Sequence, residues 1–189
     1  MLEVVIDGGA GSSVTLIETS KHVVIVDTSS LEMRDLLLRR LNELGYEPKD
    51  VDVVINTHLH RGHTGNNDVF VNAEIYASPN EYVERCKGCL LYKSRWSGFD
   101  FRPVYEFDDD EIRIINTPGH TWGSISVVYG EYVIVGDAIP TRDCIVKRSI
   151  PKYVDEIAMK SSLTRILRLG RRIVTGHDGV IESDRSFEG

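Results

Sequence analysis

The stretch His58-Leu59-His60-Arg61-Gly62-His63 concentrates three imidazoles in one short segment. Residues two apart in extended backbone share a side, so His58 and His60 face the same way, and Gly62 permits the turn that brings His63 round. Zinc and similar ions take neutral imidazole and carboxylate ligands at about 2.0–2.2 Å, three or four of them converging from different elements. Three more donors of that kind follow: His120 on the turn Thr117-Pro118-Gly119-His120-Thr121, Asp137 after Gly136, and His177 after Gly176. Chance seldom combines H-x-H-x-x-H with three further ligand-type residues at strand ends, so the pattern points to a metal centre. His22, the remaining histidine, sits between Lys21 and Val23 in a hairpin and reads as an ordinary structural residue.

Other chemistry-bearing residues give weaker signals. Asp178, beside His177, reads as a turn cap in preference to an acid or base, and Thr121 and Ser124 as supports for the loop after His120. Cys86-Lys87-Gly88-Cys89 lacks the second C-x-x-C of a zinc ribbon and reads as a pair of ordinary thiols. Residues 85–102 are locally cationic and aromatic: Arg85, Lys87, Lys93, Arg95 and Arg102 interleave with Trp96, Phe99 and Phe101. Two readings stand for that segment. It is either a lid receiving an anionic substrate, with Lys93, Arg95 and Trp96 as the substrate contacts, or a helix and loop packing its aromatics on the core. Asp108-Asp109-Asp110-Glu111 reads as a solvated turn with no need of a metal.

Apolar periodicity assigns the elements that must carry these residues. Residues 4–6, 13–19 and 23–27 read as three successive strands, turned by the glycine cluster at 8–11 and by Ser20-Lys21. Leu31, Leu36, Leu37, Leu38, Leu41 and Leu44 recur at helical spacing before Gly45. Residues 51–56 make a buried strand that delivers the chain to His58. Further strands are expected at 74–77, 111–116, 125–128, 132–135 and 172–175, and helices at 79–86 and 154–169. This order suggests an α/β fold of two sheets enclosed by helices, with the histidines gathered at one rim.

The 189 residues carry 22 Lys and Arg against 29 Asp and Glu, a formal net charge of -7, and 41% are hydrophobic. Such a chain is expected to form one globular domain, 1–189, that buries a core without disulfides. Its three cysteines are too few for a disulfide framework. With neither an apolar run of membrane-spanning length nor a basic, apolar leader, the chain reads as cytoplasmic. Net acidity disfavours a nucleic-acid partner. The expected partner is a small-molecule substrate, anionic if the lid reading holds, and a homodimer is allowed.

As a set the site residues are recognisable. His58-Leu59-His60-Arg61-Gly62-His63-Thr64-Gly65-Asn66, with Thr117-Pro118-Gly119-His120-Thr121, Gly136-Asp137 and Gly176-His177, resembles the metallo-β-lactamase superfamily over nearly the whole chain. The overall look is similar to its compact glyoxalase II-like hydrolases. The resemblance implies a four-layer αββα sandwich with a dinuclear metal site at the sheet edges. It further implies His58, His60 and His120 as ligands of a first metal, Asp137 as bridging carboxylate, and His63 and His177 as ligands of a second. Catalysis would then centre on Asp137, His120 and His177. Asp27 matches the superfamily's buried strand-end aspartate, which orients the histidine loop. The pattern departs at Gly62, where the usual aspartate ligates the second metal and accepts a hydrogen bond from the attacking water. One negative charge and one ligand are lost, so the expectation is one tight Zn2+ and a second, weaker one. The same donors suit Fe2+ or Mn2+.

Coordination to such a metal lowers the pKa of water from 15.7 toward about 7 and polarises the substrate's carbonyl or phosphoryl oxygen. Metal-bound hydroxide then attacks, with no serine or cysteine required. The leading expectation is a zinc hydrolase of a small ester, thioester or related acyl compound. Gly62 keeps a mononuclear iron dioxygenase of a thiol or persulfide in view, and the basic segment keeps a phosphodiesterase or nuclease. A decayed, non-catalytic module is opposed by the five retained histidines. The chain stops soon after His177, short of the helical domain with which larger glyoxalase II enzymes bind their thioester, which argues against glutathione thioesters.

Overall fold

Strands covered on both faces read as unbroken apolar runs, and two such runs, Val23-Val24-Ile25-Val26 and Val53-Val54-Ile55, lie side by side at the centre of a sheet. The computed structural model describes residues 1–81, 99–147, 153–169 and 172–182. Its first sheet has six strands, in spatial order β1 (Leu2–Asp7), β2 (Ser13–Glu18), β3 (Val23–Val26), β4 (Val53–Ile55), β5 (Glu74–Ala77) and β6 (Arg102–Pro103). The first three pair antiparallel and the rest parallel. The second sheet comprises β7 (Ile112–Asn116), β8 (Ile125–Tyr129), β9 (Tyr132–Gly136), β10 (Arg172–Thr175) and β11 (Val180–Glu182), in the order β11-β10-β9-β8-β7. Here only β9 and β10 run parallel.

Alternate side chains assign the layers. Val24, Val26, Val53 and Ile55 meet Ile125, Val127, Ile134 and Val174 between the sheets. Ile25 and Val54 point the other way, onto Leu37 and Leu41 of α1 (Arg34–Glu43). Val133, Val135 and Ile173 pack outward against Met159, Leu163 and Ile166 of α4 (Glu156–Leu169). The result is the αββα sandwich that the sequence suggested. Two short helices complete it: α2 (Arg61–Thr64), inside the histidine motif, and α3 (Arg142–Lys147).

Strand direction decides where the site falls. β3, β4 and β5 are parallel, so their carboxyl ends share one edge. β7 and β9 both run antiparallel to β8, and β10 runs parallel to β9, so the carboxyl ends of β7, β9 and β10 also share an edge. Loops leaving such ends are where α/β sheets bind ligands.

Most expected elements appear with small shifts. The last helix starts at Glu156, after the expected 154, because the Asp155 carboxylate accepts a hydrogen bond from the Ala158 amide at 2.8 Å and caps it there. The strands β6 and β11 and the helices α2 and α3 are too short to show periodicity. Beyond Glu81 the helix expected at 79–86 lies outside the described residues, as do Cys86, Cys89, Lys93, Arg95 and Trp96. Where the segment 85–102 is described it is structural: Phe99 and Phe101 pack on Leu59 and Ala77, and Arg102 pairs with Glu74 and Glu106. Among the described residues no helix is long and apolar enough to cross a membrane.

Candidate metal centre

Strand ends bring the donors together. β4 leads through Asn56 and Thr57 to His58 and His60, with His63 on α2. β7 leads to the turn carrying His120, β9 ends beside Asp137, and β10 ends just before His177. His60 Nδ1 lies 2.9 Å from His58 Nε2 and 3.0 Å from His120 Nε2. Asp137 Oδ2 is 3.3 Å from His120 Nε2 and 4.0 Å from His58 Nε2. One donor atom from each of these four residues falls within 4.8 Å of the others. The other oxygen, Asp137 Oδ1, is 3.3 Å from His63 Nε2 and 3.1 Å from His177 Nε2, and those three residues form a second cluster. Every ligand candidate named by the sequence thus joins one of two sets that share Asp137.

The rings are held from behind. Thr57 Oγ1 donates to Asp27 Oδ2 at 2.8 Å and so presents a lone pair to His58 Nδ1 at 3.3 Å. Asp27 also accepts from the Thr57 amide and from His63 Nδ1, both at 2.8 Å. His177 Nδ1 donates to the Gly11 carbonyl at 2.9 Å. With Nδ1 turned toward these acceptors, Nε2 of each ring faces inward, the orientation that ligation needs. Asp27 reaches its three partners from a left-handed backbone, φ 58°, which aspartate tolerates better than most residues. Gly8, at φ 107°, has no side chain because a Cβ would strike the His177 carbonyl. Asn66, the last residue of the motif, donates to the carbonyls of Thr28 and Ser30, each at 2.7 Å, and ties the helix-bearing loop to the end of β3.

Charge is distributed unevenly across the cluster. Burial holds His58 well below the ordinary imidazole value. Burial would also lower His63, but the Asp27 and Asp137 carboxylates on its two sides prevail and raise it to about 10. A hydrogen bond to Asp137 raises His177. Burial opposes ionisation of Asp137, yet the charge of His63 and the bond from His177 hold it well below the usual carboxylate range.

The donors fit a divalent metal. His63 Nε2 and Asp137 Oδ1 are buried and, although 3.3 Å apart, make no well-aligned hydrogen bond, an arrangement that buried polar groups rarely keep unless a ligand completes it. In the first set three imidazole nitrogens lie close in succession, His58 to His60 at 2.9 Å and His60 to His120 at 3.0 Å, a convergence that a cation among them would satisfy. Three nitrogens with a carboxylate oxygen, and two nitrogens with another, are donor sets that zinc and iron both accept.

The remaining candidates resolve individually. Asp178 accepts from the Arg142 amide at 2.8 Å and caps α3. Thr121 and Ser124 bond each other beside His120 as expected. The acidic turn is more than a solvated run: Asp108 and Asp110 are exposed and pair with Lys21, but Asp109 is buried and accepts from His22 Nδ1 at 2.9 Å and Thr19 at 2.7 Å. Glu81 carries no sequence signal, being one acidic residue in a polar stretch, yet it is buried and accepts from the Leu59 amide at 3.0 Å and from the Thr121 hydroxyl.

Residues 7–177 match the family model of the metallo-beta-lactamase superfamily. The chain belongs to that superfamily. A probable metallo-hydrolase of Methanocaldococcus jannaschii is 45% identical over 165 residues, covering 86% of this chain and 74% of its own. An N-acyl homoserine lactonase from a Bacillus species is 29% identical over 171 residues, 80% of this chain and 64% of its own. A Thermotoga maritima crystal structure assigned to the metallo-beta-lactamases superposes with a TM-score of 0.74 at 24% identity, over 96% of this chain and 98% of that one. As a member of this superfamily the chain is a metal-dependent hydrolase, with divalent metal as the cofactor implied by its His and Asp clusters.

Proposed function

We propose that this metallo-beta-lactamase superfamily member hydrolyses a small ester, lactone or thioester with zinc held by His58, His60, His120 and Asp137, and a second, weaker zinc between Asp137, His63 and His177. The observation that carries this reading is the shared carboxylate: Asp137 directs one oxygen to each donor set, and its Oδ1 and His63 Nε2 are buried without a well-formed hydrogen bond. When bound, zinc supplies Lewis acidity toward an acyl oxygen and a water acidified to near neutrality. The chain's own part is to orient and to hold charge. Asp27 and Thr57 fix His58 and His63, Gly11 fixes His177, and Asp137 stays anionic between the sets. Exposure supports entry of substrate from the His177 side, since the His177 side chain is 31% accessible and that of His58 0%. His177, Asp137 between the two donor sets, and His120, 3.3 Å from Asp137, are the residues proposed to border the reacting groups.

The acyl substrate class is supported by the lactonase relatives and by a Bacillus thuringiensis lactonase structure with N-decanoyl-L-homoserine at its active site, superposing with a TM-score of 0.69 at 23% identity over 88% of this chain and 80% of that one. A second reading, a mononuclear iron dioxygenase of a thiol or persulfide, is favoured by Gly62, and a structural relative at 21% identity and TM-score 0.72, solved in a di-iron-bound form, supports iron as a metal for such a site. Metal-stripped protein reconstituted separately with zinc and with iron, then screened against lactones, thioesters, phosphodiesters and persulfides, separates the two. Zinc-supported turnover of a lactone or thioester is expected. Iron-dependent oxygen consumption with a persulfide, and no acyl hydrolysis, would overturn the proposal.

A further inference from the structure

The first donor set sits on two loops far apart in sequence, residues 57–60 and 117–124, and one buried carboxyl touches both. Glu81 is 5% exposed. Its Oε2 accepts a hydrogen bond from the Leu59 amide at 3.0 Å, and its Oε1 accepts one from the Thr121 hydroxyl. Leu59 stands between His58 and His60, and Thr121 directly follows His120, so each contact is one residue from a candidate ligand. The Leu59 side chain, buried with Ala77 against Phe99 and Phe101, faces away from its two histidine neighbours, as alternation requires. Residue 59 is therefore anchored twice, and its anchoring fixes where the flanking imidazoles point.

The hydrogen bonds around Thr121 have a single consistent direction. The Thr121 amide donates to Ser124 Oγ at 3.1 Å, Ser124 Oγ donates to Thr121 Oγ1 at 2.7 Å, and the Thr121 hydroxyl donates to Glu81 Oε1. Glu81 also lies against Gly123, where a Cβ would collide with the Glu81 amide and side chain. The loop after His120 is thus shaped to admit this carboxyl. A backbone bond from the Ile125 amide to the Thr57 carbonyl, 2.9 Å, joins the same loops nearer the sheets, and Glu81 makes the outer tie, beside the ligands themselves.

We infer that Glu81 is a positioning residue for the first metal: it sets the spacing between the His58/His60 loop and the His120 loop, and so tunes affinity at that site while leaving the His63, Asp137 and His177 set unaffected. This rests on the metal-site reading above. Outer groups that orient ligands typically change metal affinity by about 10–100-fold.

The test is a titration of metal-stripped protein with Co2+, followed by calorimetry and by the visible absorption of the bound ion, for wild type, Glu81→Ala, Glu81→Gln and Thr121→Val. Wild type that binds no metal, or His120→Ala that binds as wild type, defeats the site reading itself. Given a wild type with a tight first site, Glu81→Ala is expected to weaken that site about 10–100-fold, alter its absorption spectrum and leave the second site within about twofold. Glu81→Gln keeps an acceptor for the Leu59 amide and should recover most of the loss, and Thr121→Val should weaken the first site several-fold. If Glu81→Ala fails to fold, Glu81→Gln and Thr121→Val decide by the same criteria. Unchanged first-site affinity and spectrum, or equal weakening of both sites, would overturn the inference, since a merely structural residue lowers the melting temperature without selecting one site.

Discussion

The two ends of the sandwich use the same residue types for opposite purposes. β3 begins beside His22 and ends beside Asp27, and β7 begins three residues after Asp109 and leads on to His120. At the far end a histidine and an aspartate pair with each other: His22 Nδ1 meets Asp109 at 2.9 Å, and Thr19 and the Glu111 amide satisfy what remains of that carboxylate. At the rim five histidines and Asp137 point their donors inward at one another, and His63 Nε2 and Asp137 Oδ1 face each other at 3.3 Å without a well-formed hydrogen bond. A satisfied His–Asp pair stabilises a fold. An unsatisfied, pre-oriented cluster stores binding energy for a ligand that is a cation.

The sharpest break between the ends is expected from single histidines. His120→Ala should abolish tight metal binding at the first site and lower turnover by orders of magnitude, whereas His22→Ala should change neither. Metal content and kcat/KM of the two variants check this, and retained metal with wild-type turnover in His120→Ala would erase the distinction. Gly62→Asp comes next in size. Gly62 is not among the positive-φ residues, and a Cβ there meets nothing within 4 Å, so an added carboxylate fits without strain. By supplying the charge and ligand that this chain lacks, it should raise affinity at the second site by about 10–100-fold, a range taken from changes in groups around metal ligands; two equally tight metals in the wild type would show that another residue already does so.

Protonation separates the ends further. In the metal-free protein His63 is raised to about 10, so at neutral pH it carries a proton that a second-site metal must displace. Affinity there should rise about tenfold per pH unit below 10, with one proton released, measurable by calorimetry in buffers of different ionisation enthalpy. For the metal-free fold the sign reverses: the charged ring's stabilisation is complete below about 6.5 and is lost as pH rises through about 10. At the far end the Asp109 value is lowered: burial opposes ionisation, but the bonds from His22, Thr19 and the Glu111 amide prevail. That stability is present above the ordinary carboxylate value and lost as pH falls through the lowered one. Asp109→Ala is the smallest effect, about 1–3 kcal/mol of unfolding free energy by denaturant titration, with metal binding unchanged.

How much of this was legible in the sequence follows from the range of the interactions. The runs that became β3, β4, β9 and β10 declare themselves because both faces of each strand are buried, and local composition records that. The six candidate ligands stand out because metal ligation restricts residue type. Asp109 hides in a run of acids, since its burial is decided by His22, 87 residues away, and Glu81 hides for the same reason, its partners lying 22 and 40 residues distant. The helix α2 was obscured by its own motif: four residues holding a glycine and a histidine carry no helical periodicity.

The central claim, that the rim and not the far end holds metal, is tested most directly by anomalous diffraction at the metal absorption edge from crystals of the reconstituted protein. A strong peak enclosed by His58 Nε2, His60 Nδ1, His120 Nε2 and Asp137 Oδ2, with a weaker one among Asp137 Oδ1, His63 Nε2 and His177 Nε2, is the result predicted. Absence of any peak at the rim, or a peak between His22 and Asp109, would contradict it.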